Sequence, residues 1–362
     1  MSAVGSRAKS VAYAKRTSHG LVASPLVSGT LRLPGFVNAH SHTFQRALRG
    51  RAAGRDFWAW REGMLDEAER QSPELVRETY ADAYREMLAA GYTAVGEFHY
   101  LGAAEARAAA EAAADARIAF VLLHVAYARG GIERSRQPSV SAYIAEVEQL
   151  RDAGIAVGVA PHSVRACPAD WLETIGAYAE REGIPLHVHA DEQPREIEEC
   201  LAEHGVRPIE LLARCGCLGE LTTIVHATHA DAGELDLLAA HGCTVCVCPT
   251  TEADLGDGFA PAGALLERAI TIAIGSDSNV RIDPLEELRE LEGIARRQSM
   301  RRGVFSPDTL LEIGAAAGAR SLGMTEWPEI EVDLGHRSLA GVAGEHVRAA
   351  LVAGCGADVV VS

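Results

Sequence analysis

Residues 34–42 read Pro34-Gly35-Phe36-Val37-Asn38-Ala39-His40-Ser41-His42. A short apolar run ends in two histidines two positions apart. On an extended chain residues i and i+2 point the same way, so both imidazoles address one point. Seven further runs are built alike: 92–98 (YTAVGEF), 118–126 (IAFVLLHVA), 155–160 (IAVGVA), 184–190 (IPLHVHA), 222–227 (TTIVHA), 243–248 (CTVCVC) and 270–275 (ITIAIG). Several are nearly continuous apolar stretches, the pattern of parallel strands covered by helices.

Between them, Ala/Leu/Glu-rich amphipathic segments predict helices at about 73–90, 103–116, 139–153, 170–182, 195–203, 231–241, 260–268 and 284–299. Ser139 is placed to cap the third, and Pro284, Glu286 and Glu287 suit a first helical turn. Eight strand–helix pairs predict an α/β chain folded as a closed, TIM-like (β/α)8 barrel rather than an open doubly wound sheet. Polar residues follow the runs: His40 and His42, Glu97 to Tyr100, His162 to Arg165, His189 and Glu192, His226 and His229, Thr250 to Glu252, and Asp277. They gather at the C-terminal strand ends, where a barrel places its catalytic loops.

The barrel is expected over 34–327, with 1–33 and 328–362 forming a small, abbreviated β subdomain. Residues before 34 show little strand patterning, and the basic opening stretch reads as a frayed first segment rather than a transit peptide. The whole chain has 362 residues, 48% hydrophobic and 23% charged, which excludes a disordered or collagenous chain. A net charge of -16 opposes binding to a phosphate backbone, so no nucleic-acid partner is expected. No stretch approaches the roughly 18 uninterrupted apolar residues of a membrane span. A cytoplasmic protein is the expectation.

Imidazoles suit Zn, Fe or Ni, whereas calcium and magnesium prefer oxygen. His189 and Asp277 can complete an N3O shell with His40 and His42, and His226 ends the strand between them. His187 lies two positions before His189 and is expected to pack below it, in a supporting role. Cys243, Cys246 and Cys248 do not complete a metal-spaced set, and with Cys215 and Cys217 they read as buried, unliganded thiols.

At these positions the chain resembles the amidohydrolase superfamily over about 33–327 and, within it, the formimidoylglutamate deiminase family. The finer resemblance is carried by HSHTFQRALRG at 40–50, FWAWRE at 57–62, EFHY at 97–100, APHSVRA at 160–166, HADEQ at 189–193, HATHAD at 226–231 and TTEADLGDG at 250–258. It implies one catalytic divalent metal per chain, usually zinc, on His40, His42, His189 and Asp277. It also implies a proton-transfer role for Glu192 and a catalytic role for His226. Dinuclear members carry a carboxylated lysine at the end of strand four; here that end reads Val159-Ala160-Pro161-His162, which favours one metal.

The chemistry of such a set is hydrolytic. A bound zinc lowers the pKa of its water from 15.7 toward about 7. Asp277 can accept a hydrogen bond from that water as well as ligate, His226 can orient it or polarise the C=N group, and Glu192 can shuttle a proton to the departing amine. The resemblance implies deimination of N-formimidoyl-L-glutamate to N-formyl-L-glutamate and ammonia, in histidine degradation. The substrate is a small amidine bearing two carboxylates, and Gln45, Arg61, Tyr100, His162 and Arg165 match the residues that bind its glutamate portion. Arg61 and Arg165 are the informative pair, because guanidinium forks match carboxylates. A homodimer is implied likewise. Two other readings stay open: a deaminase of another amidine or an aminoheterocycle, and a noncatalytic interaction barrel.

Overall fold

The computed structural model describes residues 11–17 and 20–26 as backbone, and residues 29–51 and 56–361 in full. Residues 1–10 and 18–19 of the basic opening stretch lie outside the described residues.

Eight parallel strands form the centre of the molecule: β1 (Phe36–Ser41), β2 (Tyr92–His99), β3 (Ala119–Ala126), β4 (Val157–Pro161), β5 (Leu186–Ala190), β6 (Thr222–His226), β7 (Thr244–Val247) and β8 (Thr271–Ile274). Each pairs with its sequence neighbours in the order β1 to β8. The ring closes through a parallel bridge between Ser41 and Asp277, just beyond the ends of β1 and β8. The fold is therefore the expected (β/α)8 barrel. Every residue of β1, β2, β4, β5, β6 and β7 is buried, which explains why these strands read as continuous runs rather than alternating ones.

The eight expected helices are present within a few residues of their predicted bounds. Ser139 accepts a hydrogen bond from Ala142 N–H at 3.1 Å, as its capping position requires. Pro284 opens the helix Pro284–Ser299, while Asp283 takes the Leu285 and Glu286 N–H groups. Several further helices interrupt the one-strand, one-helix rhythm. The most consequential is Phe57–Arg70, inserted between β1 and the helix Pro73–Ala89. Two shorter ones, Pro208–Arg214 and Pro249–Leu255, follow β5 and β7.

Three strands lie before residue 35, where the sequence shows little strand pattern. Val11–Thr17 and Gly20–Leu26 form an antiparallel pair. Thr30–Pro34 joins a three-stranded antiparallel sheet with Glu329–Asp333 and Val360–Val361. That sheet is tied to the barrel's lower rim, where Gly35 N–H and Thr93 Oγ1 both donate to the carbonyl of Pro328. No helix among the described residues is long and apolar enough to cross a membrane.

A candidate metal centre at the C-terminal mouth of the barrel

The closure of the barrel assembles the site. His40 and His42 leave the end of β1, His189 lies near the end of β5, and Asp277 lies three residues beyond β8. Their side chains converge. His40 Nε2 is 3.1 Å from His42 Nε2 and 3.1 Å from His189 Nε2, and the His42–His189 separation is 3.4 Å. Asp277 Oδ1 stands 3.6 Å from His40 Nε2 and 3.4 Å from His42 Nε2.

The contact between His42 and His189 is not a hydrogen bond. His42 Nδ1–H donates to the carbonyl of Phe98 and His189 Nδ1–H to that of His162, both at 3.0 Å. Donation there leaves each Nε2 as a lone pair aimed at the others. Burial, reinforced by neighbouring imidazoles, holds the pKa of His40 and His189 well below the usual histidine value. Burial also lowers that of His42, against the opposing pull of Asp277. Neutral rings with converging lone pairs repel one another unless a cation sits among them. Zinc–nitrogen bonds of about 2.0–2.1 Å at tetrahedral angles place neighbouring donors about 3.3 Å apart. Five of the six separations, at 3.1–3.6 Å, fit that shell, and all four donors lie within 4.8 Å of one another. His40, His42, His189 and Asp277 form a site for one divalent metal.

Beside it lie the two residues expected to serve acid–base chemistry, Glu192 and His226. His226 Nε2 is 3.7 Å from both Glu192 Oε1 and Asp277 Oδ2. Burial raises the pKa of Glu192, although His226 and Arg165 pull it down. For His226 burial opposes the charged ring, but the carboxylates of Glu192, Glu252 and Asp277 outweigh it and raise the pKa well above the ordinary value. Glu192 and His226 thus face the same point.

A cavity opens above the centre. All five residues expected to recognise substrate line it: Gln45, Arg61, Tyr100, His162 and Arg165. Gln45 Nε2 donates to Tyr100 Oη at 2.9 Å, leaving the buried Gln45 Oε1 without a partner. The His162 ring leans on Tyr127, with centroids 4.6 Å apart. Arg165 Nε is buried without a hydrogen bond, 3.6 Å from Glu196 Oε1, and Arg165 Nη2 is 3.6 Å from Glu192 Oε2. The Arg61 guanidinium is 3.5 Å from the exposed Glu62.

The remaining wall was not foreseen. Phe57, Trp60 and Met64 descend from the inserted helix, Tyr127 follows β3, and Leu255 ends the helix after β7. His187 is fully buried and donates to the carbonyl of Ser321 at 2.9 Å, which is the supporting role expected of it. All eight cysteines are buried and free of disulfides. Cys248 does approach the site, its thiol within 4.8 Å of donor atoms on His226 and Asp277. Burial raises its pKa well above the ordinary value, which keeps the thiol protonated and a poor ligand.

Comparison with known proteins gives a consistent picture. A formimidoylglutamate deiminase of Pseudomonas aeruginosa is 37% identical over 326 residues, covering 80% of this chain and 72% of its own. A 5-methylthioadenosine/S-adenosylhomocysteine deaminase of Halobacterium salinarum is 31% identical over 300 residues, covering 82% and 69%. Among solved structures, an adenosine deaminase from Xanthomonas campestris with bound zinc superposes with a TM-score of 0.83 at 27% identity, over 91% of this chain and 78% of that one. An amidohydrolase from Brucella melitensis gives 0.80 at 29% identity, over 91% and 84%. The sequence profile of the amidohydrolase family spans residues 31–332, from the strand before the barrel to the one after it. With most of the chain inside that profile and its metal donors at the matching strand ends, this chain belongs to the amidohydrolase family.

Proposed function

We propose that this chain hydrolyses N-formimidoyl-L-glutamate to N-formyl-L-glutamate and ammonia, with one zinc ion at the His40, His42, His189 and Asp277 site. The observation that carries the substrate is Arg165, whose buried Nε has no hydrogen bond. Its guanidinium lies 3.6 Å from Glu192 and from Glu196, yet Nε keeps a donor that a substrate anion can take. Arg61 lines the same cavity, so two cationic forks are available for two carboxylates. A neutral purine would offer neither arginine an anion. The 37% identity to the deiminase of Pseudomonas aeruginosa supports the same reading.

A divalent metal bound at this site acidifies a water and places positive charge beside the reacting carbon. The chain's own residues do the rest. Glu192 takes a proton from the attacking water and delivers it to the leaving nitrogen. His226 Nε2–H steadies the developing charge. Arg61 and Arg165 hold the carboxylates, and Gln45, Tyr100 and His162 fix the glutamate portion between them. Water adds to the C=N bond, its first proton passing through Glu192 to the terminal nitrogen and its second following from the new hydroxyl as C=O forms, so the C–N bond breaks and ammonia leaves.

A second reading, deamination of an aminopurine, draws on the Halobacterium salinarum and Xanthomonas campestris relatives. Ammonia release from zinc-loaded protein decides between them. N-formimidoyl-L-glutamate should turn over far faster than 5-methylthioadenosine, S-adenosylhomocysteine or adenosine. Preference for any of those three replaces the deiminase assignment with the purine one.

A further inference from the structure

His226 is held from behind by a carboxylate that does not reach the cavity. Glu252 lies on the short helix Pro249–Leu255, and its side chain is buried outside the cavity wall. Leu255, three residues on, does line the cavity, so this turn of helix serves the site on both sides. Glu252 Oε1 accepts from Cys248 N–H at 2.9 Å and from His226 Nδ1–H at 3.3 Å. Its Oε2 is buried without a partner. Capping the helix needs one oxygen only. A fully buried carboxylate with an unsatisfied oxygen is a costly way to satisfy one backbone N–H.

The backbone of His226 supplies the second observation. Its φ is 74°, and that of Ala227 is 51°, both in the left-handed region that non-glycine residues rarely adopt. Ala227 N–H is tied to the carbonyl of Ala190 on β5 at 3.1 Å. This strained turn throws the ring across the mouth of the barrel. What then fixes the ring's rotation is the partner that Nδ1 meets, since the hydrogen bond at one imidazole nitrogen sets the role of the other. With Nδ1–H on Glu252, Nε2 faces Glu192 and Asp277.

We propose that Glu252 is a positioning residue that acts through His226, holding its Nδ1–H away from the cavity and its Nε2 toward the reacting atoms. The proposal rests on the reading above that His226 serves the scissile bond. The geometry assigns Glu252 no contact with substrate.

Glu252→Met removes the acceptor at similar volume, and Glu252→Gln keeps an oxygen there. In zinc-loaded protein E252M should lower kcat roughly 10–100-fold, the usual cost of losing a carboxylate behind a functional imidazole, with KM and metal content within about twofold of wild type. E252Q should recover much of that loss. In an H226N background E252M should cost less than about threefold more, because two residues acting as one unit are not additive. Equal cost in both backgrounds overturns the proposal. A second readout needs no substrate: nitrogen NMR of histidine-labelled, metal-loaded protein, with His226 assigned by the signals lost in H226N. Wild type should show a protonated, hydrogen-bonded Nδ1 that shifts in E252Q and E252M. If E252M fails to fold, E252Q alone decides, and unchanged His226 signals overturn the proposal. Absence of ammonia release by wild type sinks the substrate assignment while leaving this spectral test intact.

Discussion

Asp277 and His42 are joined through their main chains, His42 N–H donating to the carbonyl of Asp277 at 2.8 Å. On the other side Asp277 N–H donates to the carbonyl of His40 at 3.0 Å. Closing the barrel and completing the metal shell are therefore one event. Asp277 itself sits at a φ of 45°, where asparagine is also tolerated. Asp277→Asn should keep the fold, because both main-chain bonds survive, yet lose an anionic ligand. Metal affinity should fall by more than the roughly 10–100-fold that loss of an outer partner costs. Elemental analysis after dialysis, beside circular dichroism, checks both halves of that statement.

Gly275 makes the approach of β8 to β1 possible. A Cβ there would lie 2.7 Å from the carbonyl oxygen of His40 and 3.0 Å from its nitrogen and Cβ. Backbone cannot swing aside as a side-chain tip can. Gly275→Ala should cost about 1–3 kcal/mol through overpacking and also reduce metal content, although no ligand is changed. Urea unfolding and metal analysis of the same preparation measure the two effects together. Wild-type metal content at wild-type stability would contradict this account of the β1–β8 seam.

The barrel was legible because each strand is buried along its length and therefore apolar, and because the donors follow those runs directly. His40, His42, His189 and Asp277 could be grouped without coordinates for that reason. The inserted helix Phe57–Arg70 was not found, although Phe57, Trp60, Met64 and Ala68 repeat at helical spacing and Asp56 caps it through Ala59 N–H. It stands where a strand–helix alternation leaves no place for it, and its charged outer face hides the stripe. The partnership of Glu252 with His226 joins the end of β6 to the helix after β7 and follows no periodicity. Pairing of Thr30–Pro34 with Glu329–Asp333 joins opposite ends of the chain, which local pattern cannot report.

Glu192 carries the proton in the proposed reaction, so Glu192→Gln separates chemistry from construction. The amide keeps the shape, and kcat should fall roughly 10²–10⁴-fold while metal content stays near wild type. If the carboxylate form must accept a proton first, activity falls as pH drops through its pKa. Burial raises that pKa, so the acidic limb of kcat/KM should lie above the ordinary glutamate value. The limb should be absent from the residual activity of E192Q. Near-wild-type turnover by metal-loaded E192Q removes this residue from the mechanism.

Away from the reacting atoms, Glu287 makes the protein's stability depend on pH. It is fully buried, accepts from Thr250 N–H at 3.0 Å, and burial lifts its pKa to about 8. The folded state thus binds a proton that the unfolded chain releases near pH 4.5. Its contribution is fully present below that lower value and is lost as pH rises through about 8. The slope for one such group is about 1.4 kcal/mol per pH unit. Glu287→Gln has no proton to lose. Relative to wild type it should gain about 2 kcal/mol between pH 6 and pH 8, read by urea unfolding of chelated protein. A difference that stays constant with pH means Glu287 is not protonated in the fold.

In the proposed reaction Arg61 and Arg165 decide the substrate, since the metal donors and Glu192 would serve any related hydrolysis. They reach the cavity from different elements, Arg61 from the inserted helix and Arg165 from the loop after β4. Arg165 is the more enclosed, with 18% of its side chain exposed against 26% for Arg61. Replacing either by Ala strands a substrate carboxylate in a partly desolvated pocket, a loss on the order of 2–5 kcal/mol. Even the low end implies roughly a 30-fold fall in kcat/KM, and the more buried Arg165 should cost more. Lys should recover only part, because it keeps the charge and loses the planar fork. Metal content should stay near wild type in all four variants. Analogues of N-formimidoyl-L-glutamate lacking one carboxylate assign each arginine to its group: the variant whose partner is already missing should show the smaller further loss. If neither arginine affects turnover of the dicarboxylate, its recognition by these guanidinium groups is wrong, whatever the metal site does.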